Sequence, residues 1–136
     1  MINKYKEEDI KDIIKLGSLV NKKFEKLFNI NNLPDNEEIL VYKENNQVIG
    51  FLHYLDNIDY IEFLNVAVHE EKRNKKIASL LVDYFLSQNN KRIILEVRES
   101  NLPAIKLYKK FNFVIINIRE KYYGNENAII MERSSE

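Results

Sequence analysis

YIEFLNVAVHEEKRNKKIASLLVDYFLSQNNKRIILEV, residues 60–97, decides how this chain folds. Tyr60 to Val68 is a β-rich run. Ile77, Leu80, Leu81, Tyr84 and Phe85 then recur at i, i+3, i+4, i+7 and i+8, the spacing of an amphipathic helix. Gln88-Asn89-Asn90 closes that helix, and Ile93 to Val97 is a dense apolar strand. A β–α–β run of this length makes its two strands parallel through a right-handed crossover. Upstream, Ile39–Tyr42 and Val48–Leu55 flank Asn45-Asn46 as a hairpin, and Tyr60–Val68 extends the meander. Before them, Ile10, Ile13, Ile14, Gly17, Val20, Phe24, Leu27 and Phe28 form one apolar stripe, predicting a helix that ends near Asn29. Asn29–Asp35 reads as a loop, and Ile2–Tyr5 as a short edge strand. Downstream, Ser100 or Asn101 caps a short helix with Pro103 in its first turn; it carries Ile105, Leu107, Tyr108 and Phe111. Phe113–Ile118 and Ala128–Met131 close the chain as two strands. The order βαβββαβαββ predicts an α/β (α+β) domain spanning 1–136, a mixed, mostly antiparallel sheet with helices on both faces.

Composition narrows the function. The 136 residues are 45% apolar, with eight tyrosines and seven phenylalanines, enough for one core without disulfides or metals. Lys+Arg and Asp+Glu are equal at 21 each, so no global field attracts nucleic acid or an anionic membrane. No apolar run approaches a membrane span and the first residues carry no signal pattern, so a cytoplasmic protein is expected. With no cysteine, thiolate metal sites and cysteine nucleophiles are excluded. Two histidines, His53 and His69, are too few for a metal cluster, and no metal is expected.

Lys72-Arg73-Asn74-Lys75-Lys76 breaks a local rule. It places four cations at a helix N-terminus, where the dipole favours acids by about 0.3–1 kcal/mol. A solvated basic loop explains this, and so does a bound anion, above all phosphate, on the free N–H groups. Its position at the strand–helix junction of a β–α–β crossover, where such sheets bind ligands, favours the anion.

From Phe63 to Met131 the chain resembles the GCN5-related N-acetyltransferase (GNAT) superfamily, and within it the RimI-like ribosomal-protein N-terminal alanine acetyltransferases. Asn65-Val-Ala-Val68 is similar to the family's splayed strand. Arg73-Asn-Lys-Lys-Ile-Ala78 lies where the family has its pyrophosphate loop. Leu95-Glu-Val-Arg98, Ser100-Asn101, Ala104-Ile105, Leu107-Tyr108 and Phe111-Asn-Phe113 resemble a later family motif, and Arg119, Tyr122-Tyr123 and Asn127–Met131 its closing hairpin. Two features depart from the pattern. Lys76 stands where the family usually has a glycine, so its Cβ limits how closely a pyrophosphate approaches if φ there is positive. Asn29–Asp35 lacks the Pro-x-Pro-Trp-Ser-like stretch of the ribosomal-protein enzymes, which helps shape the acceptor side.

The resemblance implies acetyl-CoA (coenzyme A) as cofactor, held by Val66, Ala67, Val68, Arg73, Asn74, Lys75, Lys76, Ile77, Ala78, Ser79 and Asn101. Val66 would turn its N–H to the thioester oxygen, while Ala67 and Val68 pair with the pantetheine arm. Direct attack by the amine fits a chain without cysteine. Glu96 is implied as the base and Tyr108, twelve positions later, as the acid. Strand alternation puts Ile94, Glu96 and Arg98 on one face, so Glu96 is equally explained as a half-exposed carboxylate paired with Arg98 or a lysine. Tyr108 is equally explained as core, and Asn101 as a helix cap. A phenol near pKa 10 stays protonated at neutral pH and can serve a departing thiolate. Tyr122 and Tyr123 are implied on the substrate side.

The implied acceptor is a ribosomal protein's N-terminal alanine. An α-amine of pKa about 7.7–8 is roughly a tenth neutral at pH 7, against about 4 in 10⁴ for lysine, which suits a lone carboxylate base. Competing readings are a small-molecule amine acceptor and a non-catalytic acyl-CoA-binding module. No nucleic acid or membrane partner is expected, and the chain is expected to be a monomer or weak dimer.

Overall fold

The computed structural model describes residues 1–135, with the side chains at 73–75 outside the described set. Its strands are β1 (Ile2–Lys4), β2 (Glu37–Glu44), β3 (Gln47–Asp56), β4 (Tyr60–Val68), β5 (Arg92–Arg98), β6 (Val114–Arg119) and β7 (Ala128–Arg133). Its helices are α1 (Ile10–Val20), α2 (Phe24–Leu27), α3 (Ile77–Gln88) and α4 (Leu102–Lys110), with short 3₁₀ turns between. The sheet order is β1-β2-β3-β4-β5-β7-β6. Among the described residues only β4 and β5 run parallel; the other neighbours are antiparallel. This is the mixed sheet expected from the element order. Asn45 and Asn46, at φ 52° and 64°, make the β2–β3 turn with two consecutive left-handed residues, the conformation a two-residue hairpin needs.

Burial is split between the two faces. On one, Ile61, Phe63, Ile93, Leu95, Val97 and Met131 of the sheet meet Ile77, Leu81, Val82 and Phe85 of α3 and Tyr108 of α4. On the other, Ile39, Val41, Phe51 and Ala67 meet Ile13, Leu16, Phe24 and Ile30. The α3 stripe differs from the expected one. Leu80 and Tyr84 are exposed and Val82 is buried, because α3 meets the sheet along its 77/81/82/85 edge.

The first helix is also shorter than its apolar stripe predicts. It stops at Val20; Asn21 turns extended, and its side-chain Oδ1 accepts from the Lys23 N–H at 3.0 Å. An asparagine offering the backbone this local bond competes with the helix ladder. Phe24 restarts the chain as the one-turn α2 and packs its ring over Gly17. A Cβ at Gly17 would lie 2.6 Å from that ring. Val20, predicted on the buried stripe, is thereby exposed. Within Asn29–Asp35, read as loop, Ile30–Asn32 forms a 3₁₀ turn with Ile30 buried.

Pairing between β4 and β5 stops early. It runs from Tyr60↔Arg92 to Phe63↔Leu95 and goes no further, although both strands continue. Leu64 is an extra residue opposite the His53/Tyr54 step of β3, a bulge that bends β4 and adds local twist. Beyond it β4 follows β3 while β5 follows β7. The sheet therefore opens between them.

Candidate active site

The opening forms a cleft of about 590 Å³. Val66, Ala67 and Val68 supply one wall, and Asn101, Pro103, Ala104, Leu107 and Tyr108 the other. The start of α3, through Lys76, Ala78 and Ser79, lies at one end, and Val20 also contributes. Residues 64–68 have no β5 partner, so one side of their backbone is free of ladder bonds.

The α3 N-terminus meets this cleft without a side-chain cap. Lys76 is its N-cap residue and makes no capping hydrogen bond. Helix N-terminal N–H groups without partners favour an anion. Lys76, Lys106 and Lys110 line the same space and add positive charge. Lys76 itself adopts φ 59°, ψ 28°, the left-handed conformation glycine adopts freely. The turn thus keeps a glycine-like path despite the Cβ. Gly50 sets the seating of this helix end, because a Cβ there would lie 2.8 Å from Ile77 Cγ2. His69 caps the preceding 3₁₀ turn by accepting from the Glu71 N–H.

Tyr108 projects from α4 into the core beside Phe63 and Phe113 and is 6% exposed. Burial pushes its phenol well above the usual tyrosine value, so it remains protonated across the physiological range. Among the described residues its hydroxyl has no hydrogen-bond partner, yet no buried side-chain polar atom is orphaned. The hydroxyl is therefore open to the cleft it lines.

Glu96 lies on the opposite face of β5, because Leu95 and Val97 take the core side. Its partners differ from those expected. The Tyr123 hydroxyl donates to Glu96 Oε2 at 2.8 Å, and Arg119 reaches Oε1 at 3.5 Å. Arg98, expected beside Glu96, stacks on the Tyr123 ring at 4.0 Å and binds Glu126. Arg119 lies over Tyr122 at 4.1 Å, and the two tyrosine rings meet edge-on at 5.2 Å. Burial first, then the Glu96 bond, raises the Tyr123 phenol well above its usual value.

Of the residues predicted from sequence, Val66, Ala67, Val68, Lys76, Ala78, Ser79, Asn101 and Tyr108 converge on the cleft. Asn101 also caps α4, accepting from the Ala104 N–H at 3.3 Å. Ile77 is turned into the core, leaving only its backbone to the site. The side chains of Arg73, Asn74 and Lys75 lie outside the described residues. Glu96, Tyr122 and Tyr123 form a second cluster across β5. Sequence reading missed Glu62. It stands opposite Ile94 in register and so shares the Glu96 face. Burial and then the Glu96 charge raise its carboxyl above the usual range. The signal was present as an acid inside an apolar strand run.

A model of the acetyltransferase (GNAT) family matches residues 8–113, most of the chain. The chain belongs to that family. Among relatives, an N-alpha-acetyltransferase of Saccharolobus solfataricus is 41% identical over 76 residues, covering 52% of this chain and 46% of that protein. A [ribosomal protein bS18]-alanine N-acetyltransferase of Haemophilus ducreyi is 31% identical over 124 residues, covering 85% and 79%. The chain thus spans about half the length of the archaeal relative. The crystal structure of the Escherichia coli ribosomal-protein-S18-alanine N-acetyltransferase superimposes with a TM-score of 0.84 at 23% identity, covering 97% and 91%. That likeness is one of fold. Among the described residues no helix is long and apolar enough to cross a membrane.

Proposed function

We propose that this chain is an acetyl-CoA-dependent N-acetyltransferase whose acceptor is the N-terminal alanine α-amine of a ribosomal protein. One observation carries the reading: the strands part at the point where an uncapped helix end, a row of unpaired backbone and an accessible phenol converge. The fit to coenzyme A rests on that donor set. The α3 N–H groups with Lys76, Lys106 and Lys110 suit a pyrophosphate, and residues 66–68 suit a pantetheine arm laid alongside as an added strand. When bound, acetyl-CoA supplies an activated acetyl thioester. A backbone N–H near Val66 would stabilise charge developing on the carbonyl oxygen.

The chain's own groups divide the proton work. Glu96, on the acceptor face, takes the amine proton directly or through one water. Tyr108, from the cleft side, gives its proton to the departing sulfur; its burial keeps that proton in place until then. The gap between β4 and β5 joins the two faces. Tyr123, now holding Glu96, would yield part of that bond to the incoming amine, and Tyr122 and Arg119 flank the same approach. The names of the Haemophilus ducreyi and Escherichia coli relatives support the alanine acceptor.

Two measurements test this. Calorimetry should detect coenzyme A binding. Mass spectrometry should then find one added acetyl group on a peptide beginning with alanine, with less on the same peptide carrying a blocked N-terminus. Turnover on polyamines or aminoglycosides but not on the peptide would move the acceptor to small amines. Binding without turnover on any amine would leave a carrier module.

A further inference from the structure

We propose that Glu37, His53 and Asn65 form a buried strut that positions the freed segment of β4 for catalysis, with His53 as its central positioning residue. The inference rests on the acetyltransferase reading above. His53 is fully buried on β3. Its Nε2 lies 2.7 Å from Glu37 Oε1 on β2, and its Nδ1 lies 3.0 Å from Asn65 Nδ2 on β4. The Phe28 ring meets the imidazole edge-on at 5.0 Å. Three neighbouring strands are thus tied through one ring.

The chain of bonds has a direction. Asn65 donates to Nδ1, so Nδ1 carries no proton, and Nε2–H donates to Glu37. Burial lowers the imidazole pKa against the opposing pull of Glu37, which keeps the ring in this neutral form. Packing alone does not call for this arrangement. His53 shares its face with Ile39, Phe51, Phe24 and Phe28, and an apolar side chain would fill that space without burying polar groups.

What the strut holds explains its presence. Asn65 follows Leu64, the bulged residue, and precedes Val66, the first wall residue of the cleft. The last β4–β5 pair is Phe63↔Leu95. Asn65 is therefore at the pivot where β4 leaves β5. Fixing its side chain fixes the heading of the backbone that would face the thioester. A misplacement near 1 Å at such a point costs about 10²-fold in rate.

Paired substitutions separate the two ends of the ring. His53→Asn places an amide oxygen near the Nδ1 position and keeps the bond to Asn65. His53→Gln reaches the Nε2 position, keeping Glu37 and losing Asn65. Asn65→Leu removes the donor at similar volume. All three create comparable local damage, so stability alone cannot rank them. The assay is turnover of acetyl-CoA with the alanine-initiated peptide, alongside calorimetry with coenzyme A and thermal melting. The expected result is a fall in kcat of roughly 10–100-fold in His53→Gln and Asn65→Leu, with KM for acetyl-CoA little changed. His53→Asn should retain most of the wild-type kcat despite a similar loss in Tm. Equal kcat in the Asn and Gln variants, or losses that simply follow Tm, would overturn the strut.

If the wild type binds coenzyme A but leaves the peptide untouched, the acceptor assignment fails and the strut is read spectroscopically. The carbon-13 resonance of a carbonyl-labelled acetyl-CoA should then move toward its free value in His53→Gln and Asn65→Leu but not in His53→Asn. No difference among them overturns the strut. A wild type that binds no coenzyme A overturns the acetyltransferase reading and this inference with it.

Discussion

Lys76 offers a direct test of how the turn before α3, the proposed cofactor cradle, is built. It is held at φ 59°, ψ 28°, between the 3₁₀ turn and the first residue of α3. An L-residue in the left-handed region costs about 1–2 kcal/mol, and glycine escapes that cost. Glycine in turn loses about 0.5–1 kcal/mol through its greater freedom in the unfolded chain. The net expectation is that Lys76→Gly is more stable than Lys76→Ala by about 0.5–1 kcal/mol. Both variants lose the same ammonium, so their difference isolates the backbone. With an unfolding entropy of about 2.1 cal/mol/K per residue, the chain's length makes this a Tm difference of about 2–4 °C. Coenzyme A binding should follow the same order, Gly tighter than Ala, because a Cβ at this turn stands in the way of a close pyrophosphate. Differential scanning calorimetry and titration calorimetry on the two variants provide both numbers. An alanine variant as stable as the glycine one would show that the turn does not impose a left-handed conformation in solution, and the cradle argument would fall.

Further outcomes follow from other parts of the structure. Tyr108→Phe should keep coenzyme A binding and lower kcat by about 10²–10⁴-fold, the span of general acid–base catalysis; unchanged turnover would remove its hydroxyl from the reaction. Gly50→Ala should destabilise by about 1–3 kcal/mol through overpacking against Ile77 and weaken coenzyme A binding as α3 shifts; a melt unchanged from wild type would contradict this. Ile58 is a β-branched residue at φ 65° in an exposed loop, so Ile58→Gly should stabilise by about 0.5–1 kcal/mol without altering turnover, as read by urea denaturation. Glu62→Gln bears on pH. The folded-state carboxyl titrates above its ordinary 4.5, so the native protein binds more protons than the unfolded chain in that window and wild-type stability falls as pH rises through it. The glutamine variant should therefore be the more stable at neutral pH, with the difference vanishing below pH 4.5; a pH-independent difference would refute the assignment.

Much of this architecture is legible along the chain because it is local. Apolar spacing at Ile77, Leu81 and Phe85 makes a helix, alternation and β-branching at Ile93–Val97 make a strand, and their order forces a parallel pair. The basic run ending at Lys76 points to an anion at the helix end, the reading proposed above, before any fold is known. The same local logic fails where two signals compete. Asn21 ends α1 inside a continuing apolar stripe, since a side-chain bond two residues away outweighs periodicity. Leu80 and Tyr84 fit a helical stripe as well as Val82 does, and only the sheet beneath α3 selects among them.

What the tertiary structure alone decided are the partnerships across long sequence separation. Glu96 is held by Tyr123, not by Arg98, because β7 brings the closing hairpin alongside β5. Glu37, His53 and Asn65 meet because β2, β3 and β4 are in register. The sequence by itself determined which elements form and which residue types could do chemistry, since propensity and periodicity act within a few turns of chain. Which of those residues face one another depends on strand register and on the bulge at Leu64. Those are set by burying two apolar faces at once, a constraint no local window contains.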